Sequence, residues 1–452
     1  MGERMKSRGS VSFITLGCAK NTVDTEVMHS RLADAGWVLE LNPSSADVTV
    51  INTCGFIGPA REESIETILG VARDQQKKEG KTLVVTGCMV TRYADELWKE
   101  IPEIDLLVDL GSFDRIDRLL DETIEAGERR RYQSGDTYLY RGRDRTGRLT
   151  LPHTTYVKIA EGCNHDCSFC AIPSFKGPFR SRRRDDIVTE AKTLVAQGVK
   201  ELNLISQDTS FYGVDLGGRR LLPGLLRTIA DQVEGDYWLR LLYLYPTEVD
   251  GALIEEIATN PRVVPYVDIP LQHADSAMLR SMGRGRGGSH LETLIEQIRG
   301  AIDELSVRTT LIVGFPGEGE DEFRRLEHFV EKMRFDHLGV FTYSQEEGTR
   351  AFLLGDPIPE EVKQERMDRL MARQERISSE INETRVGKTI DVLVDRFGTD
   401  AAIARAPFHA PEIDGRVHVV GPEGRRPPSP GSFARVEIVD SDIYDLDAVG
   451  VD

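Results

Sequence analysis

The chain has 452 residues, more than one hydrophobic core normally fills, which predicts about two to four domains. Hydrophobic residues make up 40% and charged residues 29%, so the composition excludes a disordered or membrane-embedded protein. The net charge of −18 gives no overall attraction to nucleic acid or anionic lipid and favours a basic partner, although one local patch could still bind RNA.

The N-terminal segment MGERMKSRGS contains neither a long apolar stretch nor a small-residue cleavage site. No apolar run reaches the roughly 20 residues that a membrane-spanning helix needs. We therefore expect a cytoplasmic protein with no membrane association.

Six cysteines form two groups of three, and none follows Cys170. Cys18, Cys54 and Cys88 are far apart and are called the dispersed trio; Cys163, Cys167 and Cys170 lie within eight residues and are called the compact trio. In a reducing compartment such thiols usually bind metal or take part in catalysis, rather than forming disulfides.

The compact trio has the pattern CxxxCxxC in the segment EGCNHDCSFCAIP. A structural zinc site generally has four protein ligands, and no second CxxC pair follows, so zinc is the less favoured alternative. Three thiolates suit a four-iron four-sulfur cluster that leaves one iron open for a small molecule.

Each cysteine of the dispersed trio follows a short β-branched apolar run: VSFITLG, VTVINT and TLVVTG. Such runs predict buried parallel strands, with crossover helices at Thr25–Ala35 and Ala60–Arg73 between them. The carboxyl ends of parallel strands share one edge of the sheet, where ligands bind, so the three cysteines should converge there. The alternative is three unrelated buried cysteines.

The predicted fold class is α/β in three parts. Residues 10–130 form an open parallel α/β sheet, and 131–150 a linker whose arginines are solvated or meet an acidic surface. Alternating strands and helices over 151–380 predict a partial (β/α) barrel with its chemistry at the strand carboxyl ends, completed by a connecting helix at Glu360–Thr384. Short strands over 382–450 predict a small antiparallel β-barrel.

The compact trio after the first strand of a βα barrel resembles the radical S-adenosylmethionine superfamily. Phe169, just before the third cysteine, matches the aromatic residue that lies beside adenine in that superfamily. Together with the dispersed trio and a C-terminal unit that looks like a TRAM domain, this organisation resembles the methylthiotransferase family over essentially the whole chain.

Several segments resemble the branch of that family that modifies an aspartate of small-subunit ribosomal protein twelve: ITLGCAKNTVDTE, ISQDTSFYGVD, YVDIPLQHAD, YSQEEGTRAF and APEIDG. The branch that modifies an adenosine of transfer RNA more usually has Gln-Met-Asn where this chain has Ala19-Lys20-Asn21. The resemblance implies β-methylthiolation of that aspartate. Transfer-RNA methylthiolation is the first alternative, and a non-catalytic iron–sulfur carrier or electron-transfer protein is the second.

The resemblance implies two four-iron four-sulfur clusters, one on each trio, so that all six cysteines are metal ligands and part of the catalytic apparatus. The compact-trio cluster would reduce S-adenosylmethionine to a radical that removes the β-hydrogen, and the dispersed-trio cluster would present the methylated sulfur. An external sulfur donor and an external electron donor are implied. Both clusters must face one cavity, which requires the first domain to cap the barrel mouth.

The C-terminal unit supports a protein substrate. From Asn382 to Asp452 it contains eight Lys or Arg and thirteen Asp or Glu, whereas an RNA-binding surface should be basic. Ribosomal proteins are strongly basic, so acidic complementarity would favour one as substrate, and no stable nucleic-acid binding is expected. The alternative is an acidic tail that only aids solubility.

Further candidates for cofactor binding lie at predicted strand ends: Gln207, Asp208, Gln272, His273, Gly314 and Glu318. A lone histidine is usually structural, and capping a helix is the favoured role for Glu318. The basic run Arg180–Arg184 contacts substrate or cofactor, or else is a solvated helix start.

Overall fold

The computed structural model of the chain describes residues 8–75, 80–217, 220–285, 287–422 and 426–451. Its three-part α/β organisation confirms the predicted fold class. The domain boundaries 10–130, 151–380 and 382–450 stay predictions.

The N-terminal sheet has six parallel strands in the order β2-β1-β3-β4-β5-β6. The strands are β1 (Gly9–Thr15), β2 (Trp37–Leu39), β3 (Val48–Thr53), β4 (Thr82–Gly87), β5 (Leu106–Val108) and β6 (Arg130–Tyr132). The helices between them are α1 (Ala19–Asp34), α2 (Gly58–Gln75), α3 (Cys88–Glu100) and α4 (Ile116–Ala126).

Helix α1 begins six residues earlier than the predicted Thr25. Cys18 is extended, with φ −112° and ψ 170°, and the chain turns into the helix directly after it. Lys20 and Asn21 consequently lie in the first helical turn, beside the first cysteine, instead of in a loop.

The central domain is an open sheet of six parallel strands in the order β14-β13-β12-β11-β10-β7, with a two-stranded ribbon formed by β8 and β9. The strands are β7 (Thr154–Lys158), β8 (Ala160–Glu161), β9 (Arg180–Ser181), β10 (Glu201–Ile205), β11 (Trp238–Leu241), β12 (Val263–Asp268), β13 (Ser306–Val313) and β14 (His337–Thr342). The helices are α5 (Ile172–Lys176), α6 (Arg184–Ala196), α7 (Leu222–Gln232), α8 (Gly251–Thr259), α9 (Ser276–Ser281), α10 (Gly288–Ala301), α11 (Glu320–Met333) and α12 (Glu360–Glu383). An open sheet of this kind is a partial barrel.

Helix α1 closes the open side of the partial barrel. Its Val23 and Val27 share one hydrophobic core with Tyr156 of β7 and Tyr266 of β12. The N-terminal domain is therefore packed into the barrel and is not a separate unit attached by a flexible connection.

The segment 131–150 and the arginine run are less solvated than predicted. Arg145 is buried and forms ion pairs with Glu26 of α1 and Glu190 of α6, so the acidic-surface alternative holds for this arginine and the solvated interpretation is wrong. Arg182 is also buried, pairs with Glu190, and covers the ring of Tyr140, so it is neither a solvated helix start nor a cofactor contact.

The C-terminal domain is a closed barrel of five strands in the order β15-β16-β17-β19-β18. The strands are β15 (Thr389–Phe397), β16 (Ala402–Arg405), β17 (Val417–Val420), β18 (Phe433–Ser441) and β19 (Leu446–Gly450). An acidic tail that only aids solubility was one of the two alternatives for the segment that contains β19, and that segment was not predicted to be a strand. Because Leu446 and Ala448 point into the core, the segment closes the barrel, and it pairs in parallel with β17.

The loop that follows β16 plugs the amino ends of the central strands. Asp414 accepts hydrogen bonds from Arg308 at 2.5 Å and from the Tyr266 hydroxyl at 2.8 Å, and Arg405 pairs with Glu201 at 2.6 Å. The two ends of the partial barrel are thus closed by different domains. None of the helices in the described part of the chain has the length and apolar character of a membrane span.

Candidate functional site

The strands that precede the dispersed trio end side by side. Thr15 of β1 pairs with Asn52 of β3, and Asn52 pairs with Thr86 of β4. Each cysteine follows its strand within three residues of these pairs. The sheet therefore brings the dispersed trio to one edge, where Cys18 is exposed, Cys54 is half-buried and Cys88 is buried.

The side chain of Asn21 joins the three cysteine loops. Its amide nitrogen donates to the carbonyl oxygens of Leu16 at 2.8 Å and Thr53 at 3.1 Å. Its amide oxygen lies 3.7 Å from the Sγ of Cys88. The buried amide of Asn21, in the first turn of α1, thus contacts the backbone just before Cys18 and Cys54 and the thiol of Cys88.

Gly17 permits the close approach of the first two loops. Its φ of +91° lies in the left-handed region, and a Cβ on this residue would lie 2.8 Å from the Cβ of Cys54. A side chain here would push Cys54 away from Cys18, so glycine is required by both backbone conformation and space.

The local environment favours the protonated thiol at two of the three dispersed cysteines, Cys54 and Cys88. Burial raises the pKa of Cys88 to about 12, although the positive charge of Lys176 opposes this shift. Burial also raises the pKa of Cys54. Thiolates at these positions need a positive group to compensate their charge, and bound iron supplies one.

The compact trio lies in the loop between β8 and α5. The loop is closed by backbone hydrogen bonds from Cys163 N to Gly177 O at 3.1 Å and from Cys170 N to Cys167 O at 3.2 Å. Between the last two cysteines, Ser168 donates from its backbone N to Met282 O at 2.9 Å and from its hydroxyl to Ser281 O at 2.7 Å. The loop shape is therefore set largely by backbone bonds.

The thiols of this loop are also poised for a cationic group. Burial, together with the neighbouring Cys167, raises the pKa of Cys163 to about 11 and of Cys170 to about 12. Each trio thus offers three soft sulfur donors, two of them in surroundings that disfavour the free thiolate.

Cys167 has cationic and aromatic neighbours that sequence analysis missed. Arg284 Nη1 lies 3.6 Å from its Sγ, and the Tyr245 hydroxyl lies 4.0 Å from it. His165 stacks on the Tyr245 ring with centroids 3.6 Å apart and bonds Asp208 Oδ2 at 2.5 Å. A histidine inside the cysteine loop was a usable signal, whereas Arg284 and Tyr245 belong to segments remote in sequence.

Two candidates at the end of β10 lie beside the compact loop. Asp208 accepts the bond from His165 and also bonds Ser210, and it is 2% exposed. Gln207 donates to Glu161 Oε1 at 2.8 Å. Both therefore orient side chains of the cysteine segment, whereas a direct contact with cofactor stays a prediction.

The turn that contains Gly314 is held by Glu318, and the favoured role of Glu318 as a helix cap is wrong. Its carboxylate accepts from Gly314 N at 3.1 Å and from Arg366 of α12 at 2.8 Å. The first turn of α11 is instead capped by Glu322, which accepts from Gly319 N at 3.0 Å.

His273, Gln272 and Phe169 differ in accessibility. His273 is fully buried, and its Nδ1 accepts from Asp275 N at 2.9 Å, which is a structural role. Gln272 has φ +74° and pairs with Leu311 through its backbone, leaving its side chain half-buried at the strand ends. Phe169 is half-buried and packs against a cluster that contains Phe315.

Helix α5 connects the two trios. It begins directly after the compact loop, and Ala171 and Phe175 pack against Cys88 of the dispersed trio in one buried cluster. The carboxyl edge of the N-terminal sheet thus lies against the carboxyl mouth of the partial barrel, which is the docking that the resemblance required.

Four buried charges lie at this junction. Lys158 contacts Asp24 of α1 and Glu161, the latter at 2.5 Å, and Lys176 lies 3.2 Å from Glu161 and 3.7 Å from Asp24. Burial alone would raise the pKa of Glu161, but Lys158 and Lys176 outweigh it and hold the pKa at about 2. The group is balanced, with two cations and two anions.

A second interdomain contact centres on Glu346, which follows β14. Its carboxylate, 1% exposed, accepts from Gly58 N at 2.9 Å and from Arg92 of α3 at 3.1 Å, and it pairs with Arg61 of α2. The segment YSQEEGTRAF, which carried only a resemblance, thus fastens the two domains together.

The donor sets have the chemistry of iron–sulfur ligands. Each trio supplies three cysteine thiols and no fourth cysteine, and three thiolates suit a four-iron four-sulfur cluster that leaves one iron open. Within the described ranges, no three His, Cys, Asp or Glu side chains are arranged to hold a single metal ion.

Comparison with protein families divides the chain in the same order as the structure. Residues 10–109 match the uncharacterized protein family UPF0004, residues 157–330 match the Radical SAM superfamily, and residues 386–451 match the TRAM domain. The dispersed trio lies in the first match and the compact trio in the second.

Relatives align over almost the entire chain. The chain is 46% identical over 439 residues to the ribosomal protein uS12 methylthiotransferase RimO of Aquifex aeolicus, covering 96% of each. It is 42% identical to the proteins of the same name from Clostridium botulinum strain Okra and Geotalea uraniireducens, covering 96% of this chain and 97% of each relative.

Solved structures show a related fold at low identity. The radical S-adenosylmethionine methyltransferase TsrM from Kitasatospora setae, with cobalamin and a [4Fe-4S] cluster bound, superimposes with a TM-score of 0.55 at 14% identity. The match covers 88% of this chain and 77% of that one. A second TsrM structure, with tryptophan and a cofactor analogue, gives a TM-score of 0.52 over 73% of this chain.

Proposed function

The chain belongs to the RimO family of methylthiotransferases, and from this membership we propose that it adds a methylthio group to the β-carbon of an aspartate in ribosomal protein uS12. The observation that carries the proposal is the meeting of the two trios at one junction, where α5 links the compact loop to Cys88. A sulfur-presenting site and a radical-generating site must be adjacent for such a transfer.

The cofactors are two four-iron four-sulfur clusters and S-adenosylmethionine. We assign Cys18, Cys54 and Cys88 to one cluster and Cys163, Cys167 and Cys170 to the other, because three convergent thiolates leave one iron of each open. When bound, these groups supply hydrogen-atom abstraction from an unactivated carbon and an activated sulfur, neither of which protein side chains can supply.

The chain's own residues position these groups. Asn21 fixes the geometry of the dispersed trio, and the backbone bonds of the loop fix that of the compact trio. Arg284 places a positive charge beside Cys167, where a thiolate needs one. Phe169 and Gln272 are half-buried at the same mouth, and we propose that they contact S-adenosylmethionine.

The transferred sulfur and the electrons come from outside the chain. All six cysteines are assigned as cluster ligands, so no thiol remains to be consumed as a sulfur source or to act as a reductant. An external sulfur donor and an external electron donor are therefore part of the proposal.

The C-terminal barrel supports a basic protein substrate without stable nucleic-acid binding. It has five more acidic than basic residues over 382–452, and two of its cations face inward: Arg385 pairs with Asp336, and Arg405 pairs with Glu201 and Asp395. The other cations are outnumbered by the acidic residues of the same unit, and salt-sensitive phosphate contacts dominate nucleic-acid affinity. A ribosomal protein substrate and free thiols are consistent with a cytoplasmic location.

The deciding experiment compares cells with and without this chain. We expect mass spectrometry of uS12 from deleted cells to lack one methylthio increment on an aspartate, and a plasmid copy to restore it. A plasmid copy carrying Cys54→Ala should fail to restore it. Loss of the modification from transfer RNA, with uS12 unchanged, would overturn the proposal.

A further inference from the structure

We propose that Lys20 binds the side-chain carboxylate of the substrate aspartate and so selects a carboxylate over an amide at the reacting residue. This inference rests on the proposed function and deepens it. It assigns to one residue the recognition of the group next to the carbon that is modified.

Lys20 lies at the junction of the two trios. It stands in the first turn of α1, two residues after the exposed Cys18. Its ammonium lies 2.9 Å from the centroid of the ring of Tyr243, which stands two residues after β11. Cys18, Asp268, Glu161 and Lys176 are near enough to act on this ammonium electrostatically. A substrate side chain that reaches the dispersed trio therefore passes this ammonium.

The Lys20 ammonium is buried and has no carboxylate partner among the described residues. Lys20 is 8% exposed, and in the described part of the chain no carboxylate lies within ion-pair distance of it. A buried cation without a counter-ion is costly, and one aromatic ring compensates only partly. An incoming carboxylate would complete the pair, and a charge-assisted contact is the strong kind.

The other cations of the junction are already engaged. Lys158 and Lys176 share Asp24 and Glu161, and Arg284 donates to Pro270 O and to Cys167. The nearby Asp268 accepts from Tyr243 N at 3.0 Å. Among the described residues at this junction, Lys20 is thus the cation that forms no ion pair.

The backbone of Tyr243, whose ring lies against the Lys20 ammonium, is held in a strained conformation. Tyr243 has φ +63°, which is unfavourable for a residue with a side chain, and its backbone is fixed by bonds to Asp268 and, through its carbonyl, from Thr209 N at 2.9 Å. Strain that is maintained by surrounding bonds commonly marks a functional site. Here it presents the ring to Lys20.

The experiment measures binding as well as turnover. The reconstituted full-length protein, with S-adenosylmethionine but without reductant, is titrated into a fluorescently labelled uS12 segment that contains the aspartate. Lys20→Met, which keeps the length of the side chain and removes its charge, should weaken binding by about 10- to 100-fold. Lys20→Arg should restore a large part of that loss.

A changed substrate segment completes a double-mutant cycle between Lys20 and the substrate aspartate. The wild-type protein should bind a segment with asparagine in place of the aspartate about 10- to 100-fold more weakly, whereas Lys20→Met should bind the two segments alike. Lys81→Met is the matched control, since it removes one positive charge from the opposite edge of the same sheet, where Lys81 donates to Ser45 O at 3.0 Å. This control should bind like the wild type.

Three results would overturn the inference while leaving the proposed function intact. The first is equal binding of the aspartate and asparagine segments by the wild type, a result that needs no variant to fold. The second is full affinity of Lys20→Met for the aspartate segment. The third is loss of S-adenosylmethionine affinity or of iron in Lys20→Met, which would assign Lys20 to the cofactors. Failure of the wild type to modify uS12 would instead refute the proposed function.

Discussion

The two trios reach the same chemistry by opposite routes. The compact trio lies on one loop of eight residues, closed by backbone bonds such as Cys163 N to Gly177 O. The dispersed trio draws its cysteines from three strand ends of one sheet and joins them through the side chain of Asn21. The first site is local, and the second exists only when the whole sheet has formed.

This difference teaches where each site is vulnerable. The compact loop should tolerate changes in the N-terminal sheet, because its bonds join residues of the loop to one another and to other segments of the central domain, such as Ser168 N to Met282 O. The dispersed trio depends on strand register, on α1 and on docking against α5. Perturbations of tertiary structure should therefore affect the dispersed trio first.

The largest expected effect comes from removing one ligand of each trio. Cys170→Ala should abolish both methylthiolation and cleavage of S-adenosylmethionine, whereas Cys54→Ala should abolish methylthiolation alone. Each variant should lose about half of the iron, because each site holds one cluster. Iron analysis and chromatography of 5′-deoxyadenosine measure these effects. If Cys54→Ala and Cys170→Ala lost S-adenosylmethionine cleavage equally, the assignment of cleavage to the compact trio alone would be contradicted.

The next effect tests the docking of the two trios. Glu346→Gln leaves Arg92 and Arg61 without their carboxylate, and breaking such a buried pair should cost about 3–5 kcal/mol. Hydrogen exchange should increase in α2 and α3, and methylthiolation should fall more than cleavage of S-adenosylmethionine. Glu347→Gln is the matched control, since Glu347 is exposed and contributes its backbone carbonyl to Arg92. Equal protection in both variants would show that Glu346 does not hold the domains together.

A smaller effect should show that the dispersed trio depends on a side chain for its geometry, whereas the compact trio depends mainly on backbone hydrogen bonds. Asn21→Leu removes the donor for two carbonyl groups, at about 1–3 kcal/mol each, and should lower iron at the dispersed trio. Asn164→Leu in the compact loop removes the acceptor of one bond, from Phe179 N at 2.9 Å, and should retain more iron. Denaturation and iron analysis measure the pair, and the reverse order would contradict the comparison.

The smallest effect concerns the end of the molecule remote from both trios. Burial, together with the cations His337 and Arg385, lowers the pKa of His409 well below its usual value. The unfolded chain therefore takes up a proton that the folded chain does not, so stability present above pH about 6.5 falls below it, by up to about 1.4 kcal/mol per unit. His409→Gln should reduce this loss.

Denaturant midpoints at pH 7.5 and 5.5 measure this change of stability with pH. The control is His418→Gln, which changes a half-buried histidine of the same barrel. Iron at both trios should stay unchanged in His409→Gln. An unchanged slope would show that His409 is not the titrating group.

Much of the fold could be predicted from patterns that are local. The runs before Cys18, Cys54 and Cys88 form strands as predicted, and helix α12, at Glu360–Glu383, ends one residue before its predicted limit. In each case the buried face of the element requires apolar residues at a regular spacing, and this spacing is visible in the segment's own sequence. The cysteine spacing of the compact trio is of the same local kind.

Errors arose where a segment's environment is supplied by remote residues. The acidic segment after Asp440 shows no strand pattern and left a solubilising tail open as an alternative, yet its Leu446 and Ala448 are buried in a core made by other strands. Glu318 reads as a cap, yet its partner Arg366 lies on α12, 48 residues away. The charge of Arg145 alone predicts a solvent-exposed side chain, whereas ion pairs with Glu26 and Glu190 allow it to be buried.

The sequence by itself determined the three-part organisation, the two cysteine groups and the chemistry that three thiolates favour, because spacing and periodicity are properties of neighbouring residues. Only the tertiary structure decided that the groups meet across α5, that Asn21 ties the dispersed trio together, and that Lys20 faces the junction over Tyr243. These contacts join residues that are far apart in the chain, and their positions follow from how whole domains pack together rather than from any one segment.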